Sequence, residues 1–398
     1  MPTILLLNHY LPPDPAPTSR LLGELGDHLE THGWDVIRIC GVDPEEGYRT
    51  RSSHGKIQKL LGWLAAHCRI LRKSLRAPRA DIVLCLSDPP FLIITASIIA
   101  LFHRARLAHW VMDLYPDLAH ELGELPRFFC RLIGPAMRVA YRSCDLTIAL
   151  DSAMSDRLRA SGNRSLATVP PWVLSTTQLD MPTLQTTRDN GLAANNYATS
   201  QSDGTAFTWL YSGNLGRAHI YEPLLQIQSM LESDGQPAHL VFQGGGAQRS
   251  LAQKRAEQLG LKRCEFRDYA PDGELLVSLL SADVLIATLA EPLAGMLWPS
   301  KLALLKHLDR PVLWVGPPGD IAAMCVNRSP PGLAICSEQS ATAAEWLASL
   351  IKRKAPLSGP GIRLPSLCRD REESLSLLRK LLGNTLPPGR HSSKSTPE

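Results

Sequence analysis

Short apolar runs alternate along the chain with stretches whose apolar positions recur at helical spacing, and turn residues separate the two. The first run, Ile4–Asn8, passes through the loop His9–Ser19, which carries four prolines, into a helix from about Arg20 to His32. Leu21, Leu22, Leu25 and Leu29 supply its apolar face, and Thr18 or Ser19 its N-cap. Strands follow at Trp34–Ile39, Asp81–Leu86, Leu107–Met112 and Leu146–Leu150, with helices over Lys56–Arg76, Leu118–Leu122 and Phe128–Arg142. A second alternation gives strands at Phe207–Tyr211, Leu240–Gln243, Cys264–Phe266, Val284–Ala287 and Val312–Val315. Helices fall at about Pro223–Leu231, Gly273–Ser281, from Ser300-Lys301 onward, and Arg371–Leu382. Strand, loop and helix in regular rotation predict an α/β protein with mainly parallel sheets.

Val169-Pro170-Pro171-Trp172 interrupts the pattern, and about Gln178–Thr205 is rich in Thr, Asn, Ala, Ser and Gln with little to bury. That composition predicts an exposed, disordered insertion between two domains. The expected division is 1–172, a linker 173–205, a second domain 206–365, a returning helix 366–384 and a disordered tail 385–398. Two α/β halves joined in this way place a ligand cleft between them.

Composition narrows the function classes. Net charge of +4 over 398 residues is too mild to announce nucleic acid, though it suits anionic substrates or an acidic membrane face. The nine cysteines are scattered without a CxxC pair, so reduced thiols are expected and a disulfide frame or zinc site is not. No leader is expected, because Met1-Pro2-Thr3 runs straight into apolar residues without a basic segment. The longest apolar run, Phe91–Phe102, is shorter than the roughly 20 residues a bilayer span needs, so a core or interfacial helix is predicted. The helix Lys56–Arg76 interleaves Leu60, Leu61 and Leu64 with basic residues, a pattern for anionic headgroups or for a solvated cationic face.

Candidate chemistry sits in loops after strands, where open α/β sheets bind ligands. After Phe207–Tyr211 come Gly213, Asn214, Gly216 and Arg217, a glycine-and-cation loop able to hold phosphate or to form a plain turn. Gly244, Gly245 and Gly246 follow the next strand, and Asp268-Tyr269 the one after it. After Val284–Ala287 stand Glu291, Gly295, Pro299 and then Ser300-Lys301 at a helix mouth, an anion site or an ordinary crossover with a surface lysine. In the first half, Asp14, Arg20 and Asp113 occupy strand-end loops and are candidates for the cleft.

The segments NHYLPPDPAPTSRLLGELGDHLETHGWDV, WVMDLYPDLA, VPPWV, YSGNLGRAH, FQGGG and LAEPLAGMLWPSKLALLKHLDRPVLWVG together resemble GT-B-fold glycosyltransferases. The likeness is to the family-4-like bacterial enzymes of O-antigen and exopolysaccharide assembly. It implies two Rossmann-like, doubly wound domains facing across a cleft. It further implies retaining sugar transfer (EC 2.4) from a nucleotide diphosphate to a lipid-linked or oligosaccharide acceptor. No cofactor or metal is implied; the nucleotide sugar, a UDP-sugar first, is the substrate. The setting would be cytoplasmic, peripheral at the inner face of the cytoplasmic membrane.

By the same resemblance the donor would meet Gly213, Asn214, Arg217, Gly244, Gly245, Asp268, Tyr269, Glu291, Ser300 and Lys301. Asp14, Arg20 and Asp113 would line the acceptor side, with Asp113, Arg217, Glu291 and Lys301 closest to catalysis. Two departures stand out. The glutamate pair of many family-4 enzymes falls on Met296 and Leu304, and the usual Arg and Lys of the donor loop fall on Asn214 and His219. The missing pair keeps open a non-catalytic scaffold of the same fold, and diphosphate clamping alone would also suit a sugar-nucleotide epimerase.

Overall fold

The computed structural model describes residues 1–14, 16–42, 56–174, 207–271, 273–353 and 364–387. The polar stretch 178–205, residues 43–55 and the tail from 388 lie outside these described residues. The chain divides into two units, Met1–Leu174 with Gly295–Trp298 and Asp370–Glu398, and Ser175–Ala294 with Pro299–Arg369.

The first unit holds a six-stranded parallel sheet built from β1 (Thr3–Asn8), β2 (Asp35–Cys40), β3 (Ile82–Cys85), β4 (Arg106–Trp110), β5 (Leu146–Ala149) and β6 (Leu166–Thr168), in the order β2-β1-β3-β4-β5-β6. Its central strands are apolar on both faces because helices cover both sides, so Ile4–Leu7 and Ile82–Cys85 are fully buried. The helices are α1 (Pro17–Thr31), α2 (Lys56–Ser74), α3 (Leu92–His103), α4 (Asp117–Glu121), α5 (Arg127–Ser143) and α6 (Ser152–Ala160). The cap expected at Thr18 or Ser19 is instead a proline start: Pro17 opens α1 after Ala16, with no side-chain cap. Trp110 stacks on Trp172 at 5.6 Å between ring centroids. Glu24 of α1 accepts from Trp172 Nε1 and from Arg371 Nε, each at 2.8 Å.

The second unit repeats the plan with β7 (Phe207–Ser212), β8 (Ala238–Gln243), β9 (Cys264–Arg267), β10 (Val284–Thr288), β11 (Val312–Val315) and β12 (Leu333–Ile335), ordered β12-β11-β10-β7-β8-β9. Its core gathers Trp209, Leu224, Ile227, Leu240, Ile286, Leu313 and Leu347. In each sheet the winding reverses beside the first strand, between β1 and β3 and between β7 and β10. A carboxylate clasps the lower end of both pairs: Asp81 accepts from the Thr3 amide at 2.9 Å, and Asp283 from the Thr208 amide at 2.7 Å. At the opposite, carboxyl end the same reversal opens a crevice between loops, the place where such sheets take ligands.

Candidate functional site

In the second unit the crevice at the β7/β10 reversal is lined by the loops after β7, β8 and β10. The β7 loop is pinned on both sides. Leu215 N–H donates to Gly245 O at 2.7 Å, Gln248 Nε2 donates to the Gly216 and His219 carbonyls at 2.7 and 2.6 Å, and Ala290 N–H donates to Ala218 O at 2.9 Å. Gly244 and Gly246 have φ of 129° and 126°. A β-carbon on either would meet the backbone of Gly213 or Leu215 within 2.4 Å, so only glycine fits.

Lys301 is the chemical centre of this corner. A β-carbon built on Gly213 would sit 3.5 Å from both its Cε and its Nζ. The ammonium lies 3.4 Å from the centroid of the Tyr211 ring, whose hydroxyl donates to Asn214 O at 3.0 Å. Nζ is buried and makes no hydrogen bond among the described residues. Burial pushes its pKa well below the ordinary lysine value, and no carboxylate counters the shift. A cation taken out of water this way is costly until an anion joins it. His219, which stands where the resemblance expects a lysine, is pushed down to about 4 by burial first and Lys301 second, so its imidazole stays neutral. Its Nδ1–H donates to Thr288 O at 2.6 Å, which fixes the tautomer.

The helix expected from Ser300-Lys301 is a single turn, Leu302–Leu305, capped by Lys301 itself. The N–H groups of Leu302 and Ala303 are already bonded to the carbonyls of Pro299 and Ser300. A one-turn helix has little macrodipole, so the positive potential here comes from the lysine side chain. Gly295 permits a close backbone approach, here to α6: a β-carbon there would come within 2.6 Å of the Ala153 carbonyl.

The remaining donor-side candidates divide. Gly213, Asn214, Gly244 and Gly245 belong to the same corner, and the Tyr269 ring lies over both glycines, at 3.2 and 3.1 Å from β-carbons built on them. Arg217 and Ser300 are exposed on the flanking loops. Asp268 is exposed and ion-paired with Arg249 at 2.7 Å. Glu291 accepts from the backbone N–H and hydroxyl of Ser337 at 2.9 and 3.0 Å, bonds that fix its carboxylate. Tyr211, the cation–π partner, lies within its strand at a position that the period of the strand marks only as core.

The first unit shows the reverse chemistry at its own reversal point. Asp14 follows β1, Asp88 follows β3 and Asp113 follows β4. Asp88 is pushed up to about 7 by burial first and then by the charges of Asp113 and Asp14. Asp113 is pushed up to about 6 by burial and by Glu124. Asp14 accepts from the Ala16 amide at 2.9 Å, Arg20 is half-buried on α1, and Ser87 Oγ accepts from the amides of Met112 and Asp113 at 2.9 and 3.3 Å. Leu297 forms an antiparallel bridge with Asp113. Asp88 was not singled out from the sequence, yet the rule that selects Asp113, a carboxylate just past a buried strand, selects it too. Among the described residues no three His, Cys, Asp or Glu come together to hold a metal ion.

No family model matches the chain. Over 244 residues, 60% of this chain, it is 24% identical to the probable glycosyltransferase WbjE of Pseudomonas aeruginosa, and the match spans 58% of that protein's length. HepE of Anabaena, solved in complex with UDP and glucose, aligns with a TM-score of 0.60 at 15% identity, covering 96% of this chain and 100% of that one. The lipopolysaccharide outer core galactosyltransferase WaaB gives 0.58 at 13% identity over 97% and 99%. WaaG, a glycosyltransferase involved in lipopolysaccharide biosynthesis, gives 0.57 at 15% identity over 97% and 100%. The fold is GT-B, with two Rossmann-like domains, as the motifs lead one to expect.

Proposed function

We propose that the protein is a glycosyltransferase that moves a sugar from a nucleotide diphosphate, a UDP-sugar first, to a lipid-linked glycan acceptor in surface-polysaccharide assembly. The observation that carries this reading is the buried Lys301 ammonium, set against Gly213 with no anion beside it among the described residues. A diphosphate is the partner this site lacks. Cleavage of the anomeric C–O bond loads negative charge onto the leaving diphosphate, and a fixed, desolvated cation lowers that barrier more than a solvated one would. Arg217, on the adjoining loop, adds a second cation, a guanidinium able to contact phosphate oxygens. Tyr269 over Gly244 and Gly245 offers a ring for the base, and Glu291, held by Ser337, a carboxylate for sugar hydroxyls.

Transfer proceeds with retention: the acceptor hydroxyl attacks on the face of the departing phosphate, whose oxygen takes the proton. Asp113 orients that hydroxyl. The work takes place at the cytoplasmic face of an anionic membrane. Support for the donor comes from HepE, solved with UDP and with UDP-glucose; support for the setting comes from WaaB and WaaG, named for lipopolysaccharide work.

The test is nucleotide release from a panel of UDP- and GDP-sugars by the wild type, Lys301→Ala and Arg217→Ala. Turnover of one donor, lost in Lys301→Ala with the melting curve intact, is expected. Wild-type rates in both variants would remove the donor site. A scaffold without catalysis, favoured by the missing glutamates at Met296 and Leu304, would neither bind nor release any donor.

A further inference from the structure

The outermost face of α5 is apolar. Phe128, Leu132 and Val139 recur at helical spacing on the side of the helix away from Met137, Ala140 and Tyr141, which enter the core. They are 68%, 66% and 68% exposed. Phe129 lies beside them, and α3, which packs against α5 and places Ser97 Oγ 3.4 Å from Ser143 Oγ, adds Ile98, Leu101 and Phe102, with Leu101 81% exposed. Scattered apolar side chains on a surface need no explanation, but seven large ones on two neighbouring helices do.

Charge selects the occupant. Neither α3 nor α5 contains an Asp or Glu. Arg127, Arg131, Arg138 and Arg142 run as a stripe along α5 beside the apolar one, and Arg104 ends α3; all five are exposed. The nearest acidic residues in sequence are Asp117, Glu121 and Glu124 ahead of α5, and Asp145, which is held by Arg106 at 2.7 Å. A second copy meeting this face would set arginine against arginine. An anionic bilayer satisfies both stripes, with aromatic and aliphatic side chains among the acyl chains and guanidinium groups at the phosphates.

We propose that α5, together with the end of α3, is the face on which the protein docks to an anionic phospholipid bilayer. The inference rests on the membrane setting given above and moves its main anchor from α2, which also lacks a carboxylate and exposes Leu60, Leu61 and Leu64, to the pair of helices that exposes seven large apolar side chains. α5 lies flat in the headgroup layer and does not span it; among the described residues no helix is long and apolar enough to cross a membrane.

The test is co-sedimentation of the full chain with vesicles of phosphatidylcholine alone or with about a third phosphatidylglycerol, alongside hydrogen exchange of the α5 amides. Binding is expected only to the anionic vesicles, with slowed exchange over residues 128–139. The triple change F128S/L132S/V139S should lower partition at least about tenfold, and R131Q/R138Q about 25-fold at low salt, at roughly fivefold per arginine. Donor turnover in solution should be unchanged in both, which also shows that they fold. Full vesicle binding by both variants, or binding lost only when the cations of α2 are removed, would overturn the α5 assignment while leaving the membrane setting intact. No binding to either vesicle would overturn both. A concentration-dependent dimer abolished by F128S/L132S/V139S would assign the face to a second copy and reject lipid.

Discussion

The two sheets reverse their winding beside the first strand, and each gathers ionisable side chains there, of opposite sign in the two. At the β7/β10 reversal the Lys301 ammonium is buried against a tyrosine ring, with no hydrogen-bond partner among the described residues. At the β1/β3 reversal three carboxylates share a half-buried edge, and burial drives the pKa values of Asp88 and Asp113 upward. The backbone plan accounts for where a ligand sits, since parallel strands diverge at that point. It does not account for which ligand. The side chains bear on that: under the proposed function the buried Lys301 meets the anionic leaving group and the carboxylate edge meets the acceptor hydroxyl.

The sharpest way to break this contrast is at Lys301. Lys301→Ala should lower kcat/KM at least about 100-fold, about 3 kcal/mol of transition-state stabilisation. Lys301→Met should do the same to turnover yet raise the melting temperature of the unliganded protein, because it removes an unpaired buried charge. The sign of the pH effect follows. The folded-state pKa of Lys301 is lowered, so the unfolded chain binds the extra proton, and stability rises with pH up to the ordinary lysine value. Melting curves between pH 6 and about 10 should show that slope in the wild type and lose it in Lys301→Met.

Asp113→Asn comes next, with turnover lowered about 10- to 100-fold. The loss of kcat/KM as pH falls through about 6, where Asp113 takes up its proton, should vanish in this variant. An unchanged acid limb would detach Asp113 from the acceptor. Asp88→Asn should act on stability. Its raised folded-state pKa means that stability is fully present below about 3.8 and declines as pH rises to about 7. Urea midpoints at pH 5 and pH 8 should differ less in Asp88→Asn than in the wild type. The smallest effect is expected at Tyr269→Ala, a rise in the Kd for UDP of about three- to tenfold, the worth of one ring contact. An unaltered Kd would place the base elsewhere.

Much of the frame could be read before any coordinates were known, and the reason is physical. Strands buried on both faces are near-continuous apolar runs, so Ile4–Leu7, Val284–Ala287 and Val312–Val315 announce themselves. The edge strands Leu166–Thr168 and Leu333–Ile335 do not, being three residues long and half-buried. The helix after Pro299 looked longer than its single turn because apolar spacing continues through Leu308, but Pro311 and the return into β11 leave no room for it. The burial of Lys301 was not legible either. Its neighbour Tyr211 belongs to a strand far earlier in the chain, and no local pattern joins the two. The apolar outer face of α5 was open to view in the helical spacing, but spacing alone does not tell the inner stripe from the outer one.

Glu24 binds both Trp172, where the chain leaves the first unit, and Arg371, where it comes back. One carboxylate thus ties exit to re-entry, while Gly295–Trp298 is the one piece of 175–369 that belongs to the first unit. A shortened gene that splices residue 174 to residue 370 through a few glycines would keep both bonds. It would lose the Leu297 bridge to Asp113 but keep α3 and α5, so vesicle docking could be measured on it with no donor machinery attached.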